Sequence, residues 1–189
     1  MKINLDSILI DPHPLLRAKA QPVTTPLSKV DQKVIMAMRK YVHDSKNEDL
    51  AEKEKLRPAV GLAAPQIGVS KQLIVVEIET IDEQGESSLI EYALANPKII
   101  AHSPFYSALA TGEGCLSVLE AKPGYVHRYL RVRIDAYDCI NNQQIEIKAS
   151  GYLAIVLQHE IDHLNGILFY DYIDQENPWL AKENTTIIE

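Results

Sequence analysis

The chain has 189 residues, of which 46% are hydrophobic and 24% are charged. This is the composition of an ordinary globular protein, and we expect a single domain over residues 1–189. The net charge of −7 argues against the basic surface that tight nucleic-acid binding requires. No apolar run approaches the roughly 20 residues that span a bilayer, and the amino terminus lacks a secretory pattern. Two cysteines in a chain of this size favour a reducing cytoplasm.

The first third of the chain predicts an extended lead-in followed by one helix. Four prolines within residues 12–26 indicate an extended segment. Ser28 is typical of a helix N-cap, and apolar residues behind it recur with helical period to about residue 43. Residues 44–57 are almost all polar and indicate an exposed helix extension or a mobile insertion that ends at Pro58. The apolar helix positions are Val30, Val34, Met38, Tyr41 and Val42.

The middle of the chain changes to strand chemistry. Residues 73–78 and 89–94 are rich in β-branched and apolar side chains, and the Asn-Pro pair at 96–97 predicts a turn. Residues 131–137 alternate between apolar and polar side chains, and with the turn at 141–142 they predict a hairpin. We therefore expect an α+β fold, with mixed and antiparallel sheets packed around a central C-terminal helix.

That last helix carries the pattern that is most informative for function. It begins near Ser150 or Gly151, ends near Gly166, and contains the run HEIDH at residues 159–163. Two histidines four residues apart lie on one face of a helix and can bind one metal ion, while the glutamate between them can move a proton. The helix is largely apolar, so it is buried, and buried histidines need partners such as a metal. The alternatives are a solvated charged helix and two hydrogen-bonded core histidines.

A catalytic metal site needs a third protein ligand and an open position. Glu183 lies at the separation used by thermolysin-like metallopeptidases, but it sits in a polar tail. Cys115, flanked by Gly112 and Gly114, is the other candidate, since a thiolate suits iron(II) or zinc. The alternative for Cys115 is a small buried thiol, and we assign Cys139 to that class.

Three runs now stand in order: AVGLAAPQ at 59–66, EGCLS at 113–117 and QHEIDHLNG at 158–166. Together they resemble the motifs GxGLAAxQ, EGCLS and QHExDHLxG of peptide deformylase, a family that removes the formyl group from the initiator methionine of new bacterial proteins. The resemblance covers essentially the whole chain, and Ala59 in place of the first glycine is the one departure. The length, the segment 44–57 and the run CLSV resemble the type II branch of Gram-positive bacteria.

The resemblance implies a metal-dependent hydrolase that releases formate. Its ion would be iron(II), which zinc, nickel or cobalt can replace. Glu160 would take a proton from the attacking water and deliver it to the leaving amine, while the Gln66 amide and the Leu116 N–H would stabilise the oxyanion. The metal ligands would be Cys115, His159 and His163.

The resemblance also implies how substrate and partners are met. An extended peptide would lie against Val60-Gly61 and the edge near Glu113-Gly114, and Glu113 would pair with Arg128 to fix the pocket wall. The protein would be a cytoplasmic monomer that meets the ribosome transiently and binds no membrane. A metallopeptidase using Glu183, a non-catalytic descendant and a structural zinc module are the alternatives. The methionine pocket would be built from Val60, Tyr152, Ile155, Val156 and His159.

Overall fold

The computed structural model describes residues 1–81 and 85–189. Within these ranges the chain forms α-helices and β-strands joined by loops and short 3-10 helices. None of the helices in these two ranges has the length and apolarity that crossing a membrane requires. The α-helices are α1 (Lys29–Asp44), α2 (Glu48–Glu54) and α3 (Gly151–Leu164). The strands are β1 (Gly61–Ala63), β2 (Leu73–Ile81), β3 (Ser87–His102), β4 (Tyr106–Leu109), β5 (Arg128–Tyr129), β6 (Arg131–Asp138), β7 (Gln143–Ser150) and β8 (Thr185–Ile188).

The strands form two sheets. The larger has the order β1-β2-β3-β6-β7, and each neighbouring pair is antiparallel. The smaller has the order β5-β4-β8, in which β4 pairs antiparallel with β5 and parallel with β8. Helix α3 contacts strands of both sheets. The predicted α+β arrangement around a central C-terminal helix is confirmed.

Helix α1 begins where the sequence predicts. The Ser28 hydroxyl accepts a hydrogen bond from the Asp31 N–H at 3.2 Å, which satisfies a donor that the first turn leaves free. The apolar face packs against β2 through residues such as Leu73 and Val75. Val30 departs from the prediction, because it lies in the first turn and is 66% exposed. The buried apolar residues of α1 are Val34, Ile35, Met38, Tyr41 and Val42.

The polar segment after α1 is a second helix rather than a simple continuation of the first. Asn47 caps α2 by accepting from the Leu50 N–H at 3.0 Å, and α2 has no buried residue. Lys55 ends it in the left-handed conformation, with φ of 54°. The Lys55 carbonyl accepts from the Leu5 N–H at 3.0 Å, so the amino terminus ties this segment to the body. The helical alternative predicted for residues 44–57 is the one that forms.

The turn predicted at 96–97 is wrong, because β3 runs without interruption from Ser87 to His102. Its register against β6 shifts between Ala95 and Lys98, and Asn96 has φ of 51°. A β-bulge of this kind accommodates Pro97, since a bulged residue needs no ladder N–H. The Asn96 side chain accepts from the Val23 N–H and donates to the Val23 carbonyl, both at 2.8 Å. This pairing anchors the proline-rich lead-in to the bulge.

The hairpin and the last helix follow the prediction. Strands β6 and β7 pair in register from Arg131 with Ser150 to Asp138 with Gln143. The apolar side of β6 packs on α3 in one core cluster, which includes Ile134, Leu157 and Ile161. Ser150 is the N-cap of α3, and Gly166 follows its end with φ of 74°. This packing determines which face of α3 is turned toward the EGCLS loop.

Candidate active site

Three side chains from two distant segments converge at the middle of α3. Cys115 lies on the loop between β4 and β5, and His159 and His163 lie one helical turn apart on α3. Their ligand atoms are all within 4.8 Å of one another, and Cys115 Sγ is 3.3 Å from His163 Nε2. Among the residues that the structure describes, this is the only cluster of histidine, cysteine and acidic side chains with such geometry. The convergence agrees with the three predicted ligands.

The chemistry of this set fits a divalent transition metal. One thiolate and two imidazoles suit iron(II) or zinc, and three ligands leave a tetrahedral position open. Burial lowers the pKa of His163 well below its usual value, which keeps this imidazole in the neutral form that binds metals. Beside the cluster, Glu160 Oε2 is buried and has no hydrogen-bond partner among the described residues. A buried acceptor of this kind is satisfied when a water or substrate group lies at the site.

Glu113 orients one of the histidines. Its Oε2 lies 2.8 Å from His159 Nδ1, which leaves Nε2 as the ligating nitrogen. Its carboxylate also pairs in bidentate fashion with Arg128, from Nε at 2.8 Å and Nη2 at 2.9 Å. Arg128 makes a further ion pair with Asp162 of the HEIDH run. The predicted Glu113–Arg128 pair is confirmed, whereas the contacts to His159 and Asp162 were not predicted.

The pKa shifts around this network have clear physical causes. Burial of Glu113 opposes its ionisation, but the adjacent Arg128 guanidinium outweighs burial and lowers the pKa to about 2. For Glu160, burial raises the pKa to about 7. Burial alone would lower the pKa of His159, but hydrogen bonds to Cys115 and Glu113 raise it. These shifts favour the anionic form of Glu113 and bring the pKa of Glu160 close to neutral pH, as general acid–base chemistry requires.

The predicted oxyanion donors lie beside the ligands. Gln66 belongs to a 3-10 helix, Ala64–Ile67, that follows β1 directly. Its Oε1 accepts from the Ala63 N–H at 2.8 Å, which turns Nε2 toward Ser117 Oγ at 3.3 Å and Cys115 Sγ at 3.5 Å. Leu116, which follows the cysteine, lines the same cleft. The amide orientation is thus determined by the short GLAAPQ segment itself.

A cleft of about 860 Å³ opens onto this centre. Arg128 is the exception among the predicted substrate residues, because it is 3% exposed and lies behind Glu113 rather than along the cleft. Lys46, Arg57 and Glu79 also line the cleft and were not predicted to do so. Lys46 follows α1, Arg57 follows α2 and Glu79 lies on β2, so the three come together only through the tertiary fold, for which no short motif gives a signal. The predicted substrate residues that line the cleft are Val60, Gly61, Glu113, Gly114, Tyr152, Ile155 and Val156, together with His159.

Two further candidates from the sequence lie elsewhere. Glu183 is exposed in the tail before β8 and is not part of the ligand cluster. The metallopeptidase arrangement with Glu183 as third ligand is therefore not formed. Cys139, predicted to be a small buried thiol, is half-buried, and burial raises the pKa of its thiol to about 12, which favours the thiol over the reactive thiolate.

Comparison with known proteins decides which enzymes share this site. Residues 5–179 match the family model for polypeptide deformylase. The chain belongs to the peptide deformylase family. Members are metal-dependent hydrolases that remove the N-formyl group from nascent chains, and the site carries the ligand types for that chemistry.

Relatives from Gram-positive bacteria agree with the predicted type II branch. The chain is 50% identical to peptide deformylase 2 of Bacillus subtilis over 187 residues, which is 99% of each chain. It is 45% identical to peptide deformylase of Oceanobacillus iheyensis, again over 187 residues, covering 99% of this chain and 100% of the relative.

Solved structures show the same fold. Peptide deformylase from Ehrlichia chaffeensis superimposes with a TM-score of 0.72 and 30% identity, over 91% of this chain and 89% of that one. The Acinetobacter baumannii class I type b enzyme, solved with Met-Ala-Ser bound, gives a TM-score of 0.69 and 28% identity, over 92% of this chain and 100% of that one.

Proposed function

We propose that this chain deformylates the initiator methionine of nascent polypeptides with Glu160 as the proton carrier and Cys115, His159 and His163 as the metal ligands. The observation that carries the proposal is their convergence. The three ligand atoms lie within 4.8 Å of one another, directly beside a buried carboxylate at the cleft. A structural zinc module would close the fourth position with a protein ligand, and the cluster provides three.

Each side chain has a distinct task in the hydrolysis. A divalent ion held by the three ligands would supply Lewis acidity, which acidifies a water and polarises the formyl carbonyl. Glu160 takes the proton of the attacking water, whose oxygen bonds to the formyl carbon, and passes that proton to the amine as the C–N bond breaks. A carboxyl with a pKa of about 7 can both accept and release the proton near neutral pH. The products are formate and a free amino terminus.

Gln66 and Leu116 stabilise the charge that develops on the formyl oxygen. The Gln66 Nε2 and the Leu116 N–H donate to this oxygen as it becomes negative. Because the Gln66 amide is already held by the Ala63 N–H, no reorganisation is needed at the moment of reaction. Loss of one such donor typically raises the barrier by about 3 kcal/mol.

The cleft supports binding of an extended peptide with an amino-terminal methionine. Val60, Ile155 and Val156 give an apolar wall for the methionine side chain, and Tyr152, 39% exposed, closes its rim. Gly61 and Gly114 carry no side chain, so the peptide main chain can approach β1 and the EGCLS loop closely. Main-chain pairing depends little on the side chains of the bound peptide, which suits an enzyme that acts on many nascent sequences.

Iron(II) is the ion that we propose for the cell, with zinc, nickel or cobalt as substitutes. A mixed thiolate and imidazole set suits each of these ions. We further propose that the chain is one domain over residues 1–189, a cytoplasmic monomer, and a transient ribosome ligand without tight nucleic-acid binding. The net charge of −7 supports a weak rather than a tight contact with RNA. Sedimentation of the free protein tests whether it is a monomer. Cosedimentation with ribosomes at increasing salt concentration tests whether the ribosome contact is weak.

The decisive experiment is formate release from formyl-Met-Ala-Ser, with protein purified anaerobically in iron(II) and with Glu160→Ala alongside. We expect rapid formate release by the wild type and almost no formate release by the variant, while both proteins retain one metal per chain. If the fully metallated wild type released no formate, the assignment as a deformylase would be refuted. Full activity of the variant would refute the role of Glu160.

A further inference from the structure

The cleft carries two charged side chains that the proposed mechanism does not use. Arg57 and Glu79 line it together with Lys46. The Lys46 ammonium is neutralised, because it donates to the buried Glu77 carboxylate at 2.9 Å and to the Glu77 carbonyl at 2.6 Å. Arg57 is half-buried, and none of the described residues forms an ion pair or side-chain hydrogen bond with its guanidinium. An unpaired guanidinium that lines a binding cleft is available to pair with an anionic group of a bound ligand.

The fold uses the main chain of Arg57 rather than its side chain. The Arg57 N–H donates to the Tyr41 hydroxyl at 3.3 Å, and the hydroxyl lies 3.4 Å from the Arg57 carbonyl that accepts from it. Tyr41 itself is 2% exposed in the core. The backbone at position 57 is therefore held in place, while the guanidinium remains available.

The edge of β1 gives the direction in which a bound peptide runs. Within the strand order of the described residues, β1 is the terminal strand of its sheet. The Glu77 N–H donates to the Val60 carbonyl at 2.8 Å, so the alternation of an antiparallel ladder turns the polar groups of Gly61 toward the open edge. A peptide pairing there with its formyl end beside Glu160 has one open direction. Toward Leu62 the strand is completely buried, and toward Arg57 the cleft continues.

Arg57 precedes Gly61 by four residues, which is up to about 14 Å of chain. An antiparallel peptide advances about 3.4 Å per residue, so its third and fourth residues reach the neighbourhood of the guanidinium. We propose that Arg57 is a specificity-determining residue that favours nascent peptides with an acidic side chain at the third or fourth position. This inference rests on the proposed function and adds to it a preference of the same cleft.

Glu79 opposes this preference from the adjacent strand. Glu79 lies on β2 two residues beyond Glu77, whose N–H donates to the Val60 carbonyl, and it lines the same cleft as Arg57. Glu79 is exposed, so water and salt screen its charge more than that of the half-buried Arg57. Removal of the two charges should therefore shift the preference in opposite directions.

The test compares amidated peptides formyl-Met-Ala-Xaa-Ser and formyl-Met-Ala-Ser-Xaa with Xaa as Glu, Gln or Lys. Amidation removes the terminal carboxylate, so that only the side-chain charge is read. For the wild type we expect the Glu peptide to exceed the Gln peptide in kcat/KM by about two- to fivefold at one position, the range of a partly exposed ion pair. The difference should lie in KM and should shrink with added salt.

Three variants and one control complete the design. Arg57→Gln should abolish the Glu-over-Gln ratio, Arg57→Lys should retain part of it, and Glu79→Gln should increase it. Arg131→Gln, which removes an exposed arginine outside the cleft, should leave the ratio unchanged. If the wild type has the same kcat/KM for the Glu and Gln peptides, the inference is wrong although the protein is a deformylase. The same holds if the preference for the Glu peptide persists in Arg57→Gln. Failure of the wild type to release formate from any of these peptides overturns the proposed function instead.

Discussion

The backbone of Gly61 lies directly against the carboxylate of Glu160. A Cβ placed at position 61 would stand 2.7 Å from Glu160 Cδ and 2.9 Å from Cγ, closer than side chains tolerate. Glu160 is 4% exposed, so its side chain would have to change conformation inside a buried site to make room for a Cβ at position 61. Glycine at this point of the first motif therefore leaves the space that Glu160, the proposed proton carrier, occupies.

We expect Gly61→Ala to lower kcat by about a hundredfold or more, because a displacement of roughly 1 Å at a catalytic group has an effect of that size. The measurement is formate release from formyl-Met-Ala-Ser, with metal content determined on the same samples. Retention of the metal alongside the loss of kcat would show that the carboxylate, and not the metal centre, is displaced.

Ala59→Gly is the matched control for that substitution. Ala59 occupies the position of the first glycine in the family motif and packs at the margin of the core. Its N–H donates to Ser45 Oγ at 3.1 Å, a bond that glycine keeps. We expect little change in kcat, and a loss as large as that of Gly61→Ala would contradict the assigned role of the Gly61–Glu160 contact.

The two cysteines should respond differently to substitution. Cys115→Ala removes one of the three proposed metal ligands, so the metal content after gel filtration should fall from near one per chain to near zero. Cys139→Ala removes a half-buried thiol whose pKa is raised to about 12, and the metal should stay. Atomic emission spectroscopy of both proteins, prepared side by side, measures the metal content per chain. If the Cys115→Ala variant kept its metal, the thiolate would not be one of the metal ligands.

Glu113→Gln should weaken metal binding without touching a ligand atom. Glu113 orients His159 and neutralises the buried Arg128. Loss of such an orienting carboxylate typically costs about 10- to 100-fold in metal affinity. Leaving a buried cation incompletely paired typically costs about 3 kcal/mol of unfolding free energy. Chelator competition and urea denaturation measure the two effects.

Glu146→Gln is the comparison for that variant, since Glu146 pairs with Arg133 at the exposed face of the β6–β7 hairpin. We expect unchanged metal affinity and almost unchanged stability, because exposed pairs contribute little. If both variants behaved alike, burial of the Glu113 network would have no energetic consequence.

Asp31 gives the protein an acid-sensitive contribution to stability. Burial opposes ionisation of Asp31, but hydrogen bonds from Lys71 and Ser28 outweigh it and lower the pKa below the ordinary 3.8. Since the folded-state pKa is the lower one, the contribution is present above the unfolded value and is lost as the pH falls through the folded value. Asp31→Asn should therefore be destabilised most near neutral pH, and the difference from the wild type should shrink as the pH falls below 3.8 and through the lower folded-state pKa.

Denaturation midpoints between pH 2 and pH 7 measure this difference. Glu120→Gln, which alters a pair with Lys122 in which Glu120 is 84% exposed, should follow the wild type at every pH. A constant difference between Asp31→Asn and the wild type over this range would attribute the loss to packing rather than to the charge.

Local features could be predicted from the sequence because neighbouring residues determine them. The Ser28 cap and the β6–β7 hairpin depend on residues close in the chain, and both form as predicted. The turn predicted at the Asn-Pro pair, 96–97, was wrong because contacts with distant parts of the chain override the local turn preference of these two residues. Just before this pair, β3 pairs with both β2 and β6 up to Ala95, and the Asn96 side chain is held by Val23, which lies 73 residues away.

The sequence by itself determined which residues are candidates for the chemistry of the site: helical spacing brings His159 and His163 to one face, and the motifs single out Cys115, Gln66 and Glu160. Only the tertiary structure decided how these groups are held. The packing of α3 against both sheets brings Glu113 to His159, and it sets Gly61 against Glu160. The fold also places the unpaired Arg57 along the cleft. These contacts join residues 46 to 99 positions apart in the chain or depend on distant segments. Burial of apolar surface on several elements at once, rather than any local preference, brings them together.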